Sequence, residues 1–261
     1  MRLKEVFVVD QSRVLQAANN EAEIVKAATD RTSFSFVEYV AAAVADTLSA
    51  FGVPGASILG AAAKQALQAR FERRAQEASQ ILLEEIRSGA ARPQDIPLEE
   101  PAAIMLRYAR AVHEGVGRLN LRLLASILAG QLAREAVYAD EFYRWADVLA
   151  GLTPEEVVVL AGYLRHIPED LRTVRLVELG AEVYQGIYGA DRDHWGDFEA
   201  TRGALLRTGL LSISATGGAI GGGTNIVFAP TAKLQELGRL VEMQGVLDRS
   251  GLAGASQRPA S

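Results

Sequence analysis

The stretch LLSISATGGAIGGGTNIVFAP (residues 210–230) decides the fold, because two β-type segments flank a loop that is rich in glycine. Five of the chain's 24 glycines lie between Ser214 and Asn225. A phosphate-binding loop needs glycines that lead directly into a helix, whose N-terminal amides then face the anion. Here a strand-like segment follows the glycines, and the next lysine is Lys233. The stretch therefore predicts a β-hairpin and argues against a nucleotide site.

The segments around the hairpin are helical and follow the order of a winged-helix domain. The first helix has a clear start, since Thr153 is a natural N-cap and Glu156 completes a capping box. The other helical segments are residues 169–189 and 193–209 before the hairpin and one helix within 230–247 after it. We predict a mainly α-helical fold with a C-terminal winged-helix-like domain at residues 151–248 and a flexible tail at 249–261.

Residues 1–150 are predicted to form a helical bundle. Their most regular helix spans residues 58–87, where apolar residues recur every three or four positions and line one face. We predict that this stripe mediates self-association or contact with a protein partner. Its candidate contact residues are Leu67, Phe71, Leu82 and Ile86. The opposite face is predicted to be solvated, and its charged residues are Arg70, Arg73, Arg74, Glu77, Glu84 and Glu85.

The composition is that of a globular protein and excludes several classes of chemistry. The chain has 261 residues and a formal net charge of −5 at pH 7, so it has no overall cationic field for nucleic acid. It contains no cysteine, which excludes disulfides, thiol catalysis and cysteine metal sites. The N-terminus lacks the pattern of a signal peptide, and we expect a cytoplasmic protein. Both tryptophans, Trp145 and Trp195, are expected in the core.

An uncharged run between Thr47 and Ala63 leaves contact with a membrane open as an alternative. The run is shorter than the roughly 20 residues that span a bilayer, and Gly-Val-Pro-Gly interrupts it. Because much of it is alanine and glycine, a small-residue helix hairpin inside a bundle is the favoured interpretation.

No residues with catalytic spacing are evident, so we predict a protein without enzymatic activity and without a cofactor. The densest polar stretch, DRDHWGDFE, offers Asp191, Asp193 and His194 as weak metal-ligand candidates. Compared with a calcium loop, it has Arg202 at the position that needs a bidentate carboxylate. We therefore predict no metal site and expect Asp193 or Asp197 to cap the following helix.

Arg202 and Arg207 are the candidate contacts to nucleic acid, because they belong to the helical segment that would enter a DNA groove. The region around them is not basic, since four basic and six acidic residues lie between Asp193 and Asp248. The hairpin itself has no charged residue between Ser212 and Ala229. Few phosphates would be neutralised, so the sequence does not favour DNA binding.

The middle of the chain resembles a known family. The segment LRLLASILAGQLAREAVYADEFYRWADVLAGLTPEEVVVLAGYL, followed by Gly-Leu-Leu, the hairpin and Pro-Thr, is similar to the bacterial abortive-infection alpha (Abi-alpha) proteins. The resemblance covers residues 122–240, although Pro230-Thr231 stands where such domains usually have Thr-Pro. It implies a cytoplasmic or membrane-proximal protein of prokaryotic phage defence. That family is defined by its defence context, so no catalytic residues transfer from it.

Together these patterns predict a non-enzymatic protein in which the helical part self-associates and the winged-helix-like part docks a partner. Two alternatives stay open at this point. One is a DNA-binding transcriptional regulator that uses Arg202 and Arg207, and the other is a membrane-acting defence effector that uses the run beginning at Thr47.

Overall fold

The computed structural model describes residues 61–89, 99–134, 137–168, 171, 175–217 and 224–252. Within these ranges the fold is mainly α-helical, with one two-stranded antiparallel sheet near the C-terminus, which confirms the predicted fold class. Three predicted features lie wholly or mostly outside the described residues. They are the run from Thr47 to Ala63 except its last three residues, the glycine-rich hairpin tip at 218–223, and the tail beyond Leu252.

The described elements are helices up to the hairpin. The helices before it are α1 (Ala61–Ser88), α2 (Glu99–Glu114), α3 (Arg118–Ala133), α4 (Ala139–Leu149), α5 (Pro154–His166), α6 (Leu176–Tyr188) and α7 (Trp195–Leu205). A 3-10 turn (Leu206–Thr208) then leads into β1 (Leu211–Gly217), β2 (Thr224–Pro230), α8 (Ala232–Leu240) and α9 (Met243–Arg249). In the sheet, Leu211 lies opposite Pro230.

A local sequence signal places the start of α5 where it was predicted. The capping box at the start of α5 is present, since the Thr153 amide donates to Glu156 Oε2 at 2.9 Å and the Glu156 amide donates to Thr153 Oγ1 at 3.3 Å. The chain also breaks between two helices at Gly-Val-Gly. There Gly115, with φ of 92°, follows the end of α2, and Gly117 is the N-cap of α3.

The segment after the hairpin forms two helices, and the prediction of one continuous helix is wrong. The backbone is extended at Val241, with φ of −125° and ψ of 122°, so α8 ends at Leu240. Val241 and Met243 are both nearly fully buried. The break turns α9 back onto the core, so that tertiary burial overrides the helical periodicity of the segment.

The hydrophobic core is centred on α3, which contacts α1, α2, α4, α8 and α9. Four of its leucine and isoleucine side chains have no exposed surface: Leu123, Leu124, Ile127 and Leu128. A helix that is apolar on nearly every side is expected at the centre of a bundle. The predicted domain boundary after residue 150 stays a prediction, and the core of the described residues is continuous across it.

The backbones of α3 and α8 approach each other closely at Gly130. A Cβ atom on Gly130 would lie 2.0 Å from the Leu240 carbonyl oxygen, which is far too close for two atoms that are not bonded to each other. Only glycine therefore fits this position without a shift of one helix. The contact seats the C-terminal helices directly on the central helix of the bundle.

Two of the six charged residues predicted to solvate α1 face inward instead. Arg74 donates from Nε to the Val112 carbonyl at 2.7 Å and also donates to the Val116 carbonyl, which ties α1 to the end of α2. Glu85 is only 1% exposed. The prediction for these two residues is wrong, because helical spacing does not reveal that a charged residue has a buried partner.

The carboxylate of Glu85 joins three helices that are distant in sequence. It accepts from Arg122 Nη1 at 2.9 Å and from Ser126 Oγ at 2.5 Å on α3. It also accepts from Arg249 Nε at 2.8 Å and from Arg249 Nη2 at 2.7 Å, at the end of α9. Burial alone would raise the pKa of the Glu85 carboxyl, but the hydrogen bonds from these donors outweigh it and hold the pKa below the ordinary glutamate value. Glu85 is therefore charged and fully partnered inside the protein.

No helix within the described ranges is both long enough and apolar enough to cross a bilayer. The longest of them, α1, carries charged residues along much of its length.

We expect Glu85→Gln to lower the free energy of unfolding by about 3 kcal/mol, because it leaves the guanidinium groups of Arg122 and Arg249 without their buried counter-charge. Urea denaturation followed by circular dichroism measures this. The matched control is Glu84→Gln, since Glu84 also pairs with Arg122 but its side chain is 55% exposed. The control should change stability by less than about 0.5 kcal/mol. Equal effects of the two substitutions would contradict the assignment.

The close approach at Gly130 predicts opposite effects for two glycine-to-alanine substitutions. Gly130→Ala should destabilise the protein by about 2 kcal/mol, because its Cβ overlaps backbone atoms of Leu240. Gly203→Ala in α7 should stabilise it by up to about 1 kcal/mol, because its Cβ meets open space and alanine favours helix. Thermal denaturation of both variants tests the sign of each effect.

Candidate interaction site

The residue that caps α8, Thr231, binds the chain at the start of the hairpin. The Thr231 amide donates to the Leu210 carbonyl at 3.1 Å. Its hydroxyl donates to the Gly209 carbonyl at 2.8 Å and, in turn, accepts from the Leu234 amide at 3.3 Å. Gly209 has φ of 68°, which favours glycine where the chain turns from the 3-10 turn into β1. These bonds join the two ends of the hairpin, which begins just after the segment that carries the predicted site residues Arg202 and Arg207.

Arg202 lies inside the protein, with 6% of its surface exposed. Its Nη1 donates to the Tyr163 hydroxyl at 3.2 Å, and its Nη2 forms an ion pair with Glu199. The guanidinium carbon is 4.6 Å from the ring centroids of both Phe198 and Phe228. Arginine between two aromatic faces gains cation–π attraction while its charge is neutralised by the glutamate. Arg202 thus links α5, α7 and β2.

The fit around Arg202 depends on a glycine in the neighbouring helix. A Cβ on Gly180 of α6 would lie 2.7 Å from Arg202 Nη1, so the missing side chain makes room for the guanidinium. Burial raises the pKa of the Tyr163 hydroxyl, and the nearby Arg202 charge opposes that rise. The hydroxyl is therefore a neutral partner for Arg202.

Arg207 is half-exposed but fully engaged by the start of α5. It forms two hydrogen bonds with the Glu156 carboxylate, of which Nη2 to Oε2 measures 2.7 Å. It also donates to the Gly151 carbonyl at 3.1 Å and to the Ala204 carbonyl at 2.8 Å. Burial alone would raise the pKa of Glu156, but the hydrogen bonds from Arg207 and from the Thr153 amide outweigh it and lower that pKa. The bidentate pair holds Arg207 in the protein's own structure.

The solvent face of α7 is formed by small residues, one aromatic ring and one carboxylate. Its exposed residues are Trp195, Gly196, Asp197, Ala200 and Ala204. Neither Gly196 nor Gly203 has another group close to the space that a Cβ would fill. This face has no basic side chain for DNA phosphates, and its small residues would let another protein segment approach closely.

The expectation that both tryptophans lie in the core is correct for Trp145 and wrong for Trp195. Trp145 has no exposed surface, whereas Trp195 is 42% exposed. Trp195 packs against Tyr184, with ring centroids 4.8 Å apart, and Tyr188 stacks on His194 at 5.0 Å. Aromatic residues from the end of α6 and the start of α7 thus form one cluster that reaches the surface.

The three weak metal candidates lie in the turn that leads into α7. Asp191 Oδ2 is 3.9 Å from His194 Nε2, and Asp191 Oδ1 accepts from the Asp193 amide at 2.9 Å. Within the described residues, no three carboxylate or imidazole groups converge in a way that would hold a metal ion. The expectation that Asp193 or Asp197 caps α7 is wrong, because His194 occupies the N-cap and makes no capping hydrogen bond. Asp197 lies in the first helical turn instead.

The candidate contact residues of the long helix divide into two pairs. Leu82 and Ile86 are each 1% exposed and pack inside the chain's own core. Leu67 and Phe71 are half-buried, and the Phe71 ring stacks on His113 with centroids 5.2 Å apart. The structure therefore does not bring these four residues together as one exposed surface.

A groove of about 830 Å³ lies between the end of α5 and the turn between α8 and α9. Arg165 and Gln244, which both line it, are joined by a hydrogen bond. Its other lining residues include Leu164, Ile167, Pro168, Gly238, Val241 and Met243. None of the sequence-predicted site residues contributes to this lining.

Comparison with protein-family models, with curated proteins and with solved structures finds no match to this chain. The resemblance to the Abi-alpha proteins therefore stays a prediction from the motifs quoted above. The geometry of α7 and its surroundings is what bears on function.

The sequence contained part of the signal for this site. Tyr184 and Tyr188 are four residues apart, and Trp195 and Phe198 are three apart, which places each pair on one helical face. The ion pairs of Arg202 and Arg207 were harder to foresee. The partner of Arg207 is 51 residues away in sequence, and no local spacing reveals a contact of that range.

We expect Arg202→Lys to lower the free energy of unfolding by about 2 kcal/mol, because lysine cannot reproduce the hydrogen-bond fork or the stacking between two rings. A residue that serves only as a DNA contact would leave stability unchanged. Chemical denaturation measures the effect, with the exposed Arg192→Lys as the control that should change stability by less than about 0.5 kcal/mol. An unchanged unfolding midpoint for Arg202→Lys would refute the assigned structural role.

Proposed function

We propose that this protein is a non-catalytic interaction protein, in which a helical bundle carries a winged-helix-like C-terminal part that docks a protein partner. Three helices, α5 to α7, precede the hairpin and α8 follows it, which is the element order of winged-helix domains. In that arrangement α7 corresponds to the helix that DNA-binding winged-helix domains insert into the groove.

One observation carries the choice of a protein partner over DNA. Both arginines of the α7 segment are held by carboxylates of the same chain, Arg202 by Glu199 and Arg207 by Glu156. The exposed face of α7 then presents Asp197 and Trp195 among glycines and alanines. DNA affinity at physiological salt depends on releasing counterions from phosphates, and this face has no cations to release them.

The proposed docking surface lies on the C-terminal part of the chain and not on α1, where the sequence predicts it. Three large apolar side chains of that part are exposed, namely Val177 on α6, Trp195 on α7 and Ile213 on β1. Leu82 and Ile86 of α1 are buried in the core and cannot contact a partner. Exposed aromatic and aliphatic side chains are typical anchors of protein interfaces. The partner is a protein, either a different chain or a second copy of this one. The Abi-alpha resemblance supports a setting in phage defence.

A photo-crosslinking amino acid at position 200 tests this proposal in the native host. Ala200 is exposed at the middle of α7, and Gln80 on α1 is an exposed control position. We expect irradiation to give adducts at position 200 that protease destroys and nuclease leaves intact, and few adducts at position 80. Nuclease-sensitive adducts at position 200 would show that α7 contacts nucleic acid and would overturn the proposal. Equal protein adducts at both positions would also overturn it.

A further inference from the structure

An aromatic surface forms where α6 meets α7. We call this surface the α6–α7 corner and define it by Tyr188, Asp191, Asp193, His194, Trp195 and Asp197. The Tyr188 and His194 rings stack with an interplanar angle of 23°, and the indole of Trp195 packs edge-on against buried Tyr184 at 60°. The packing fixes the ring of Trp195 while 42% of the residue stays exposed. A rigid, exposed aromatic ring is a suitable anchor for a partner's side chain.

The charges around these rings are mostly negative. Asp191, Asp193 and Asp197 are all exposed, and neither Asp193 nor Asp197 makes an ion pair within the described part of the chain. Burial raises the pKa of the Tyr188 hydroxyl, and the charges of Asp197 and Glu155 raise it further. The aromatic rings therefore lie in a negative electrostatic field.

The buried side of α7 shows which group binds between aromatic rings and a carboxylate in this protein. On the buried side of α7, the Arg202 guanidinium lies between the Phe198 and Phe228 rings and pairs with Glu199. The α6–α7 corner repeats aromatic rings and carboxylates on the exposed side, where Asp191, Asp193 and Asp197 outnumber the one exposed cation of the turn, Arg192. The Arg202 guanidinium carbon is 5.9 Å from the Trp195 ring centroid, so this ring already takes part in a cation–π contact. Cation–π attraction and charge complementarity both favour a basic side chain there.

We propose that the α6–α7 corner is a docking surface for an arginine or lysine side chain on a protein partner, with Trp195 as the ring contact and Asp197 as the charge contact. The small residues that follow Trp195 along α7 let the partner's backbone lie close to the helix. Nucleic acid and anionic lipid are repelled by the three aspartates. This inference rests on the proposed function and specifies the chemistry of its partner.

Nuclear magnetic resonance on the ¹⁵N-labelled full chain tests the inference at the residue concerned. The chain has two tryptophans, so its spectrum contains two indole N–H signals, and Trp195→Phe assigns them. The probes are a short synthetic Gly-Arg-Ser repeat peptide and a matched Gly-Glu-Ser peptide, both at low salt because screening weakens exposed charge pairs. We expect the arginine peptide to shift the Trp195 signal and leave that of buried Trp145 in place. The glutamate peptide should shift neither.

Charge-reversal variants distinguish binding of the arginine peptide at the α6–α7 corner from non-specific attraction of the peptide to a negatively charged protein. Asp197→Lys should weaken binding of the arginine peptide by about threefold or more. Asp140→Lys is the matched control, because Asp140 is also an exposed aspartate in the first turn of a helix, α4, and it should bind the peptide about as wild type does. Equal losses for both variants, or no shift of the Trp195 signal with the arginine peptide, would overturn the inference.

The outcomes also separate this inference from the proposed function. Protein adducts at position 200 together with an unmoved Trp195 signal would overturn the arginine-binding surface and keep the interaction function. A Trp195 signal that moves with duplex DNA, and not with the arginine peptide, would overturn both.

Discussion

The buried carboxylate of Glu85 is the contact on which the arrangement of the two ends of the described chain depends. It takes hydrogen bonds from Arg122 and Ser126 on α3 and from Arg249 on α9, the last across 164 residues of sequence. A carboxylate in an apolar core is costly unless every oxygen is partnered, so the three helices have one mutual arrangement that satisfies it. The tight contact between α3 and α8 at Gly130 then fits in the same geometry.

The same use of arginine recurs at α7 and bears directly on function. Arg202 and Arg207 secure α7 and the turn after it to α5 and β2 through Tyr163, Glu156 and the Phe228 ring, and Glu199 pairs with Arg202 within α7. Because these cations are neutralised within the fold, the charge left on the outside of α7 comes from aspartates. A segment whose basic residues suggest nucleic acid in the sequence thus becomes, in three dimensions, an acidic and aromatic surface.

Local signals in the sequence predicted the elements well where short-range physics decides them. The capping box at Thr153 and the hairpin between two β-type segments both depend on residues within a short stretch of the chain. The errors share a different cause. Glu85 was assigned to solvent and residues 230–247 to a single helix, and both depend on contacts with a distant part of the chain. Trp195 was assigned to the core but is 42% exposed. For the candidate site, the sequence contained the position on α7 and the spacing of the aromatic residues, but not the ion pairs that engage its arginines.

Composition and periodicity alone therefore establish a mainly helical chain with a neutral C-terminal hairpin, because helix and hairpin formation is governed by local backbone preferences and by the spacing of apolar residues. Tertiary structure alone decides which charged residues are available to a partner. Ion pairs such as Glu85 with Arg249 and Arg207 with Glu156 form between helices far apart in sequence, and their strength comes from exclusion of water by the packed core. No local sequence pattern shows which arginine pairs with a buried carboxylate. Because those pairs form inside the fold, Trp195 and Asp197 remain exposed on the outer face of α7.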